Sequence, residues 1–179
     1  MRRQSLILLM ILVAFLFDRA SADITEGLIA YFKFEKDDKK SLTDSSGLNH
    51  HASIFGDVKW VDGKYGKGIQ FDGKSSYADI PARTFDAFDA ITITAWVKVL
   101  NMPSTHSYNI AGFTTGPGVG MYVELYKVDL AAWQCHPNCR NASFAYPANF
   151  GEWHHVGAIY DGSKILLYID GEQKAQGVG

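Results

Sequence analysis

Two adjacent histidines and a set of carboxylates are the side chains of this 179-residue chain that could perform acid–base chemistry. His154 and His155 lie in a run with strand-like alternation, and neighbouring side chains of a strand point to opposite faces, so the two cannot act on one substrate together. Glu124 and Asp129 are five positions apart, which would put them on opposite faces of one strand, whereas a retaining glycosidase needs two carboxylates about 5 Å apart. The chain has neither a G-x-S-x-G nor an H-E-x-x-H motif. We therefore expect no enzymatic activity.

The N-terminus has the features of an export signal. Arg2 and Arg3 precede the unbroken apolar run Leu6–Phe17, and Ala20-Ser21-Ala22 is a small-x-small cleavage site. We predict a signal peptide over residues 1–22, with a secreted chain from Asp23 onward that has no membrane span. Cleavage would remove three arginines and one aspartate and change the net charge from −2 to −4. This mild acidity argues against a nucleic-acid partner, which would need a basic patch.

The two cysteines, Cys135 and Cys139, enclose three residues that include His136. In an exported protein, an even number of closely spaced cysteines predicts a disulfide, here one that closes a small loop. The alternative is a redox or metal pair. C-x-x-x-C lacks the spacing of a thioredoxin-like site, and no second ligand cluster follows to complete a zinc site. The disulfide is the preferred interpretation.

The tripeptide Asn141-Ala142-Ser143 is an N-glycosylation sequon. In a secreted eukaryotic protein we expect Asn141 to carry a glycan, which would place this segment at the surface. In a bacterial protein the same tripeptide would have no such meaning.

Short strand-like runs separated by turn residues fill the interior of the chain. They are Gly27–Glu35, Val58–Val61, Gly68–Phe71, Tyr77–Ile80, Ile91–Val97, Met121–Val128 and a final hairpin whose turn is Asp161-Gly162-Ser163. In the hairpin, Val156 and Ile165 fall on one face, and Trp153 and His155 on the other. Many short strands with Gly-containing turns and no long amphipathic helix predict a β-sandwich or barrel of one domain.

Five segments, in order, resemble the laminin-G-like modules of the concanavalin A-like lectin superfamily. They are the opening run G-L-I-A-Y-F-K-F-E, the loop D-S-S-G-L-N-H-H, the stretch W-V-D-G-K-Y-G-K-G-I-Q-F-D-G, the strand I-T-I-T-A-W-V, and the hairpin with W-H-H-V before it and Y-I-D-G after it. The resemblance covers about Gly27 to Gly171. It implies an all-β, two-sheet antiparallel jelly-roll sandwich over residues 23–179. Thr105–Ala148 matches nothing in the pattern.

Two further expectations follow from the resemblance. Relatives of this kind normally continue with closing strands that this chain lacks, so we expect a C-terminally truncated domain; the alternative is a true chain end with an exposed sheet edge. Many relatives also hold a structural calcium ion near two turns, which correspond here to Asp44, Asn49 and Asp72. The alternative for Asp44 and Asp72 is a purely structural role in their turns.

The resemblance implies non-enzymatic recognition of a carbohydrate or an extracellular glycoprotein. Aromatic side chains with polar tips provide rigid contact area for such ligands. The region Thr105–Ala148 is rich in them, and Trp133, Tyr108 and Tyr146 are the candidate contacts, whereas Met121, Val123 and Leu125 are expected in the core. Two alternatives remain open: a protein-interaction module without sugar binding, and a degenerate or partial glycoside hydrolase.

Overall fold

The structure is a computed structural model that describes residues 26–35, 40–81, 89–101, 107–116, 119–126, 129–135, 139–146 and 149–178. The predicted signal peptide lies outside these residues. Every regular element in them is a β-strand. The strands are β1 (Ser41–Leu42), β2 (Ala52–Phe55), β3 (Val58–Asp62), β4 (Lys67–Phe71), β5 (Tyr77–Asp79), β6 (Ile91–Lys98), β7 (Ser107–Gly116), β8 (Val119–Tyr126), β9 (Asp129–Cys135), β10 (Cys139–Ala145), β11 (Trp153–Tyr160), β12 (Lys164–Ile169) and β13 (Glu172–Val178).

Two four-stranded antiparallel sheets form the sandwich, one in the order β10-β9-β8-β7 and the other in the order β13-β12-β11-β6. The core lies between them. From the first sheet it takes Met121, Val123 and Leu130, and from the second it takes Ile165 and Leu167. These side chains are almost fully buried, as the alternation of the sequence predicts. A three-stranded sheet (β1-β2-β5) and the β3–β4 hairpin complete the all-β jelly-roll fold.

The final hairpin forms as the sequence predicts. Tyr160 pairs with Ile165 across the turn, and the Oδ1 atom of Asp161 accepts hydrogen bonds from the backbone N–H groups of Ser163 (3.0 Å) and Lys164 (2.9 Å). The next turn places Asp170 and Gly171 at φ values of 51° and 82°. Two consecutive left-handed residues match the twist of the flanking strands in a two-residue hairpin.

Three strand expectations need correction. Residues 107–145, where the sequence predicted only the strand at Met121–Val128, contain four strands that form one complete sheet. Glu172–Val178, expected to be a chain end beyond the hairpin, is β13 and pairs with β12. Among the described residues, the predicted first strand over 27–35 forms one bridge, between Phe32 and Asp44, and the Asp44 loop takes the N–H and the carbonyl of Tyr31.

The two sheets approach each other closely where β10 meets β13. A Cβ atom at Gly177 would overlap the carbonyl oxygen of Asn141 and lie 2.6 Å from its carbonyl carbon. Lys174, also on β13, places its Nζ atom 5.8 Å from the centre of the Phe144 ring on β10. Gly177 is therefore required by the close approach of two backbones. Among the described residues, no helix has the length and apolarity to cross a membrane.

Candidate functional site: an aromatic face on the second sheet

An exposed group of aromatic side chains lies on the outer face of the second sheet, opposite the core. The register of β6 and β11 pairs Trp96 with His155, and Lys98 with Trp153. Directly opposed residues of antiparallel strands share a face. Their neighbours Val97, His154 and Val156 point to the core side. We call Tyr65, Trp96, Trp153 and His155 the aromatic face.

The rings of the aromatic face contact one another and two lysines. The Trp96 ring lies 5.2 Å from the His155 ring and 5.7 Å, edge to face, from Tyr65. Lys64 places Nζ 5.0 Å from the centre of the Trp96 ring, and Lys98 places Nζ 6.0 Å from the Trp153 ring. Such ring pairs and cation–π contacts each stabilise the arrangement by about 0.5–1.5 kcal/mol. Trp96 is 39% exposed and Tyr65 71% exposed, so the rings remain accessible.

The turn between β3 and β4 carries Tyr65 and Lys64 onto this face. The N–H of Gly63 donates to the carbonyl of Gly66 (2.9 Å) and closes the turn. Gly66 has a φ of 62°, and a Cβ atom there would overlap the Glu35 carboxylate. The left-handed backbone favours glycine at this position, whereas the Glu35 carboxylate ends a flexible side chain. The position of Tyr65 therefore depends on the Gly63–Gly66 turn.

A polar network on the core side of β11 supports the same strand. His154 is buried, with Nδ1 2.7 Å from Asp170 Oδ2 and Nε2 3.2 Å from Asn149 Oδ1. The other oxygen of Asp170 accepts the backbone N–H of His155 at 2.8 Å. Burial alone would raise the pKa of Asp170, but hydrogen bonds from His154 and His155 outweigh it and lower the pKa. The network ties β11 to the β12–β13 turn and confirms that the two histidines face opposite sides.

The arrangement is suited to binding. Flat rings offer apolar surfaces to the C–H groups on one face of a sugar, and the adjacent lysines supply hydrogen-bond donors for hydroxyl or carboxylate oxygens. Sequence reasoning placed Trp153 and His155 on one strand face but did not identify this site. The missing information was the pairing of β6 with β11, which are separated by more than fifty residues and bring Trp96 beside His155.

The three aromatic residues nominated from the sequence do not come together. Trp133 is 37% exposed on the outer face of the first sheet, as expected for a contact residue. Tyr108 on β7 pairs with Leu125 on β8, so the two side chains share a face. The Tyr108 ring lies close to Gly73, since a Cβ atom built on Gly73 would be 3.6 Å from the ring. It thus packs against the turn after Asp72.

The placement of Tyr146 corrects the expectation of a surface contact. It is 7% exposed and belongs to the core cluster, with its ring edge to face against His154 at 5.6 Å. Its hydroxyl has no hydrogen-bond partner among the described residues. Burial, and secondarily the charge of Asp170, raises the pKa of Tyr146 to about 12. An aromatic ring adjoining His154 on the core side has no surface to offer a ligand.

The cysteines and the sequon lie on the β9–β10 hairpin. Its register places Cys135 directly opposite Cys139, and Trp133 directly opposite Asn141. The disulfide and the glycan stay predictions; His136 lies outside the described residues.

Asp44 is the centre of a hydrogen-bonded loop. Its Oδ1 accepts the N–H groups of Tyr31 and Ser46, both at 2.8 Å, and its Oδ2 accepts the Ser46 hydroxyl (2.6 Å) and the N–H of His50 (2.9 Å). Burial acts to raise the pKa of Asp44, but these hydrogen bonds lower it to about 2. Asn49, in the same loop, has a left-handed φ of 61°, which Asn adopts more readily than most residues.

Asp72 organises a second turn in the same manner. Its Oδ1 accepts the N–H groups of Lys74 (2.8 Å), Ser75 (2.9 Å) and Ser76 (2.9 Å), and these bonds lower its pKa. Both carboxylates, Asp44 and Asp72, thus accept hydrogen bonds from their own turns, which fits the structural role that the sequence left open for them. The calcium ion stays a prediction.

The carboxylates Glu124 and Asp129 differ from the expectation. They belong to β8 and β9, and Glu124 pairs with Ala131, two residues from Asp129. They therefore share the outer face of the first sheet as diagonal neighbours, because they belong to two paired strands and not to one. Diagonal residues of this kind are about 7–8 Å apart.

With the fold and these positions in hand, the chain can be assigned to a family. The Laminin_G_3 family model, described as concanavalin A-like lectin/glucanases superfamily, matches residues 72–179. The chain belongs to this family, and the resemblance seen in the sequence is confirmed. No curated protein matches it.

Solved structures share the fold at low sequence identity. Domain 4 of AbnA, a GH43 extracellular arabinanase from Geobacillus stearothermophilus in complex with arabinotriose, is 21% identical with a TM-score of 0.65, over 85% of this chain and 75% of that one. The binding domain of botulinum neurotoxin DC in complex with rat synaptotagmin II is 17% identical with a TM-score of 0.65, over 86% of this chain. This chain spans 40% of that binding domain. At these identities the likeness shows the fold alone.

Proposed function

We propose that the chain is a secreted, non-enzymatic recognition module that binds a glycan, free or on an extracellular glycoprotein, on the aromatic face. The observation that carries the proposal is the exposed Trp96 ring, contacted by Tyr65 and His155 and flanked by Lys64. Export is supported by the N-terminal signal pattern. The arabinotriose bound to the arabinanase domain shows that this fold accommodates an oligosaccharide.

Preorganisation supports this choice of surface. Trp96 is held by two rings and a lysine, and β11 is held from behind by the His154–Asp170 pair. Side chains that are already ordered lose less conformational entropy when a ligand binds. A flat ligand would therefore meet a surface that needs little rearrangement.

The test is binding of the secreted chain to a glycan array that includes arabino-oligosaccharides and sialylated oligosaccharides, followed by calorimetry with the best ligand. Trp96→Ala should weaken binding by about tenfold, the loss of one stacking contact of roughly 1.4 kcal/mol. The matched control is Trp133→Ala, because Trp133 is exposed to almost the same extent on the other sheet. Trp133→Ala should change the dissociation constant less than twofold. Because the proposed module is non-enzymatic, no oligosaccharide should be cleaved during the incubation.

Loss of binding in Trp133→Ala instead would move the site to the first sheet. Release of shorter sugars would favour the glycoside hydrolase alternative. A blank array would favour the protein-interaction alternative, which one observation supports: Ile159 and Leu166 pair directly on the same outer face and are only half-buried.

A further inference from the structure

A short row of side chains crosses the outer face of the first sheet. The register places Gly112 opposite Tyr122, Tyr122 opposite Trp133, and Trp133 opposite Asn141. The flanking residue Ala132 is buried in the core, so the side chains of this row point away from it. The predicted sequon therefore begins beside an exposed indole ring.

Trp133 and Asn141 are both exposed on this face. Tyr122 leans over Gly112, since a Cβ atom at Gly112 would lie 2.5 Å from the Tyr122 ring. One step along the strands, the paired residues on the same face are Ala131 and Ser143, which are small. Trp133 is 37% exposed, and the Asn141 side chain is exposed as well. No large side chain of this row stands between the indole and the Asn141 amide.

We propose that Asn141 carries an N-linked glycan whose first sugar packs on the Trp133 ring, so that Trp133 is the platform for the protein's own glycan. The inference rests on the proposed export. Attachment forms a bond between Asn141 Nδ2 and C1 of the sugar and breaks the C1–O bond to a lipid diphosphate donor of the secretory pathway. The lipid diphosphate and one amide proton leave.

The physical basis is proximity. Cβ atoms of directly opposed residues are about 4.5–5.5 Å apart, so a sugar on the Asn141 amide starts beside the indole. Its C–H groups face the electron-rich ring. Because the sugar is covalently attached, its effective concentration at the ring is high, and a weak contact is sufficient to hold it.

β10 is an edge strand of its sheet, and β13 lies against its backbone at Asn141. A glycan held against Trp133 would lie beside this edge. Trp133 would thus contact a sugar, whereas Trp96 contacts the rings of Tyr65 and His155.

The test uses the full chain secreted from eukaryotic cells in four forms: wild type, Ser143→Ala, Trp133→Ala and the double variant. N-glycosidase treatment and mass spectrometry should show a glycan at Asn141 only where Ser143 is present. Loss of the sequon should lower the melting temperature by about 2–4 °C in the wild-type background. In the Trp133→Ala background the same change should cost less than about 1 °C.

Two further samples keep the result interpretable. Enzymatic trimming of the wild-type glycan to its first sugar should preserve the melting temperature, and this arm needs no variant to fold. Ser143→Ala in unglycosylated protein from bacteria controls for the loss of the hydroxyl. An unmodified Asn141, or equal losses in the two backgrounds, would overturn the proposal. Expressing the same chain with a heterologous signal peptide distinguishes failed export from failed glycosylation. None of these measurements depends on ligand binding at Trp96.

Discussion

The outer face of each sheet carries a tryptophan that is more than one third exposed, Trp96 at 39% and Trp133 at 37%. Their surroundings differ. Trp96 is contacted by Tyr65, His155 and Lys64, which come from a turn and a neighbouring strand. Trp133 has Asn141 across from it and small residues one step away.

The difference shows that exposure alone does not identify a binding residue. The Trp96 ring is fixed by contacts that are far apart in sequence, which is what recognition of a separate ligand requires. The Trp133 ring is open beside a predicted attachment point, which suits a partner that is already covalently attached. Substitutions that affect both outer faces, one face or a single ring should distinguish ligand recognition at Trp96 from glycan packing at Trp133.

The largest effect should come from the contact that joins the two sheets and therefore supports both faces. Gly177→Ala forces a Cβ atom into the backbone of Asn141 and should destabilise the domain by about 3 kcal/mol. Gly157→Ala on the aromatic face is the matched control, since its Cβ would make ordinary contacts at 3.5 Å or more. It should change stability by less than about 0.5 kcal/mol in urea unfolding. Equal effects would mean that the β10–β13 approach is not a tight contact.

An intermediate effect, confined to the second sheet, should follow from Asp170→Asn, which weakens the bonds to His154 and His155. At neutral pH it should cost about 1 kcal/mol, because Asp170 is partly exposed. Its pKa is lowered in the folded state, so its contribution is complete above the unfolded value of about 4 and is lost as the pH falls through the lower folded value.

The measurement is urea unfolding of wild type and Asp170→Asn from pH 7 to pH 2, where the two curves should converge at the acid end. Glu172→Gln is the control, since this acid directly follows the turn and, within the described part of the chain, forms its ion pair with Lys174 at the surface. A gap between wild type and Asp170→Asn that persists at pH 2 would contradict the ionic role of Asp170.

Local patterning predicted much of the fold. The alternation in the final hairpin separated the two faces of β11 and of β12, and Asp-Gly turns located the hairpins, because both signals lie within a few residues of each other. Within 107–145 only the strand at Met121–Val128 was predicted, because the rest of that segment matched nothing in the family pattern. β13 was missed because Glu172–Val178 has few large apolar residues, and its strand state depends on pairing with β12.

The site was harder to predict than the fold. The sequence placed Trp153 and His155 together, but the partnership of Trp96 with His155 depends on strand pairing across a long separation. The sequence favoured Trp133 as an exposed contact and also named Tyr146, and only the packing shows that the Trp133 ring is exposed and the Tyr146 ring is buried. The turn roles of Asp44 and Asp72 follow from local hydrogen bonds, which Asx-turn chemistry anticipates.

The smallest effect compares the two tryptophans directly, in unglycosylated protein without ligand. Since their exposed fractions nearly match, truncating either to Ala removes a similar amount of buried ring surface, and that contribution cancels in the comparison. What remains is the set of contacts that Trp96 makes with Tyr65, His155 and Lys64. Trp96→Ala should therefore cost about 1 kcal/mol more than Trp133→Ala in urea unfolding. Equal costs would show that the contacts around Trp96 do not hold its ring, which would remove the preorganisation argument for the aromatic face while leaving the glycan platform at Trp133 unaffected.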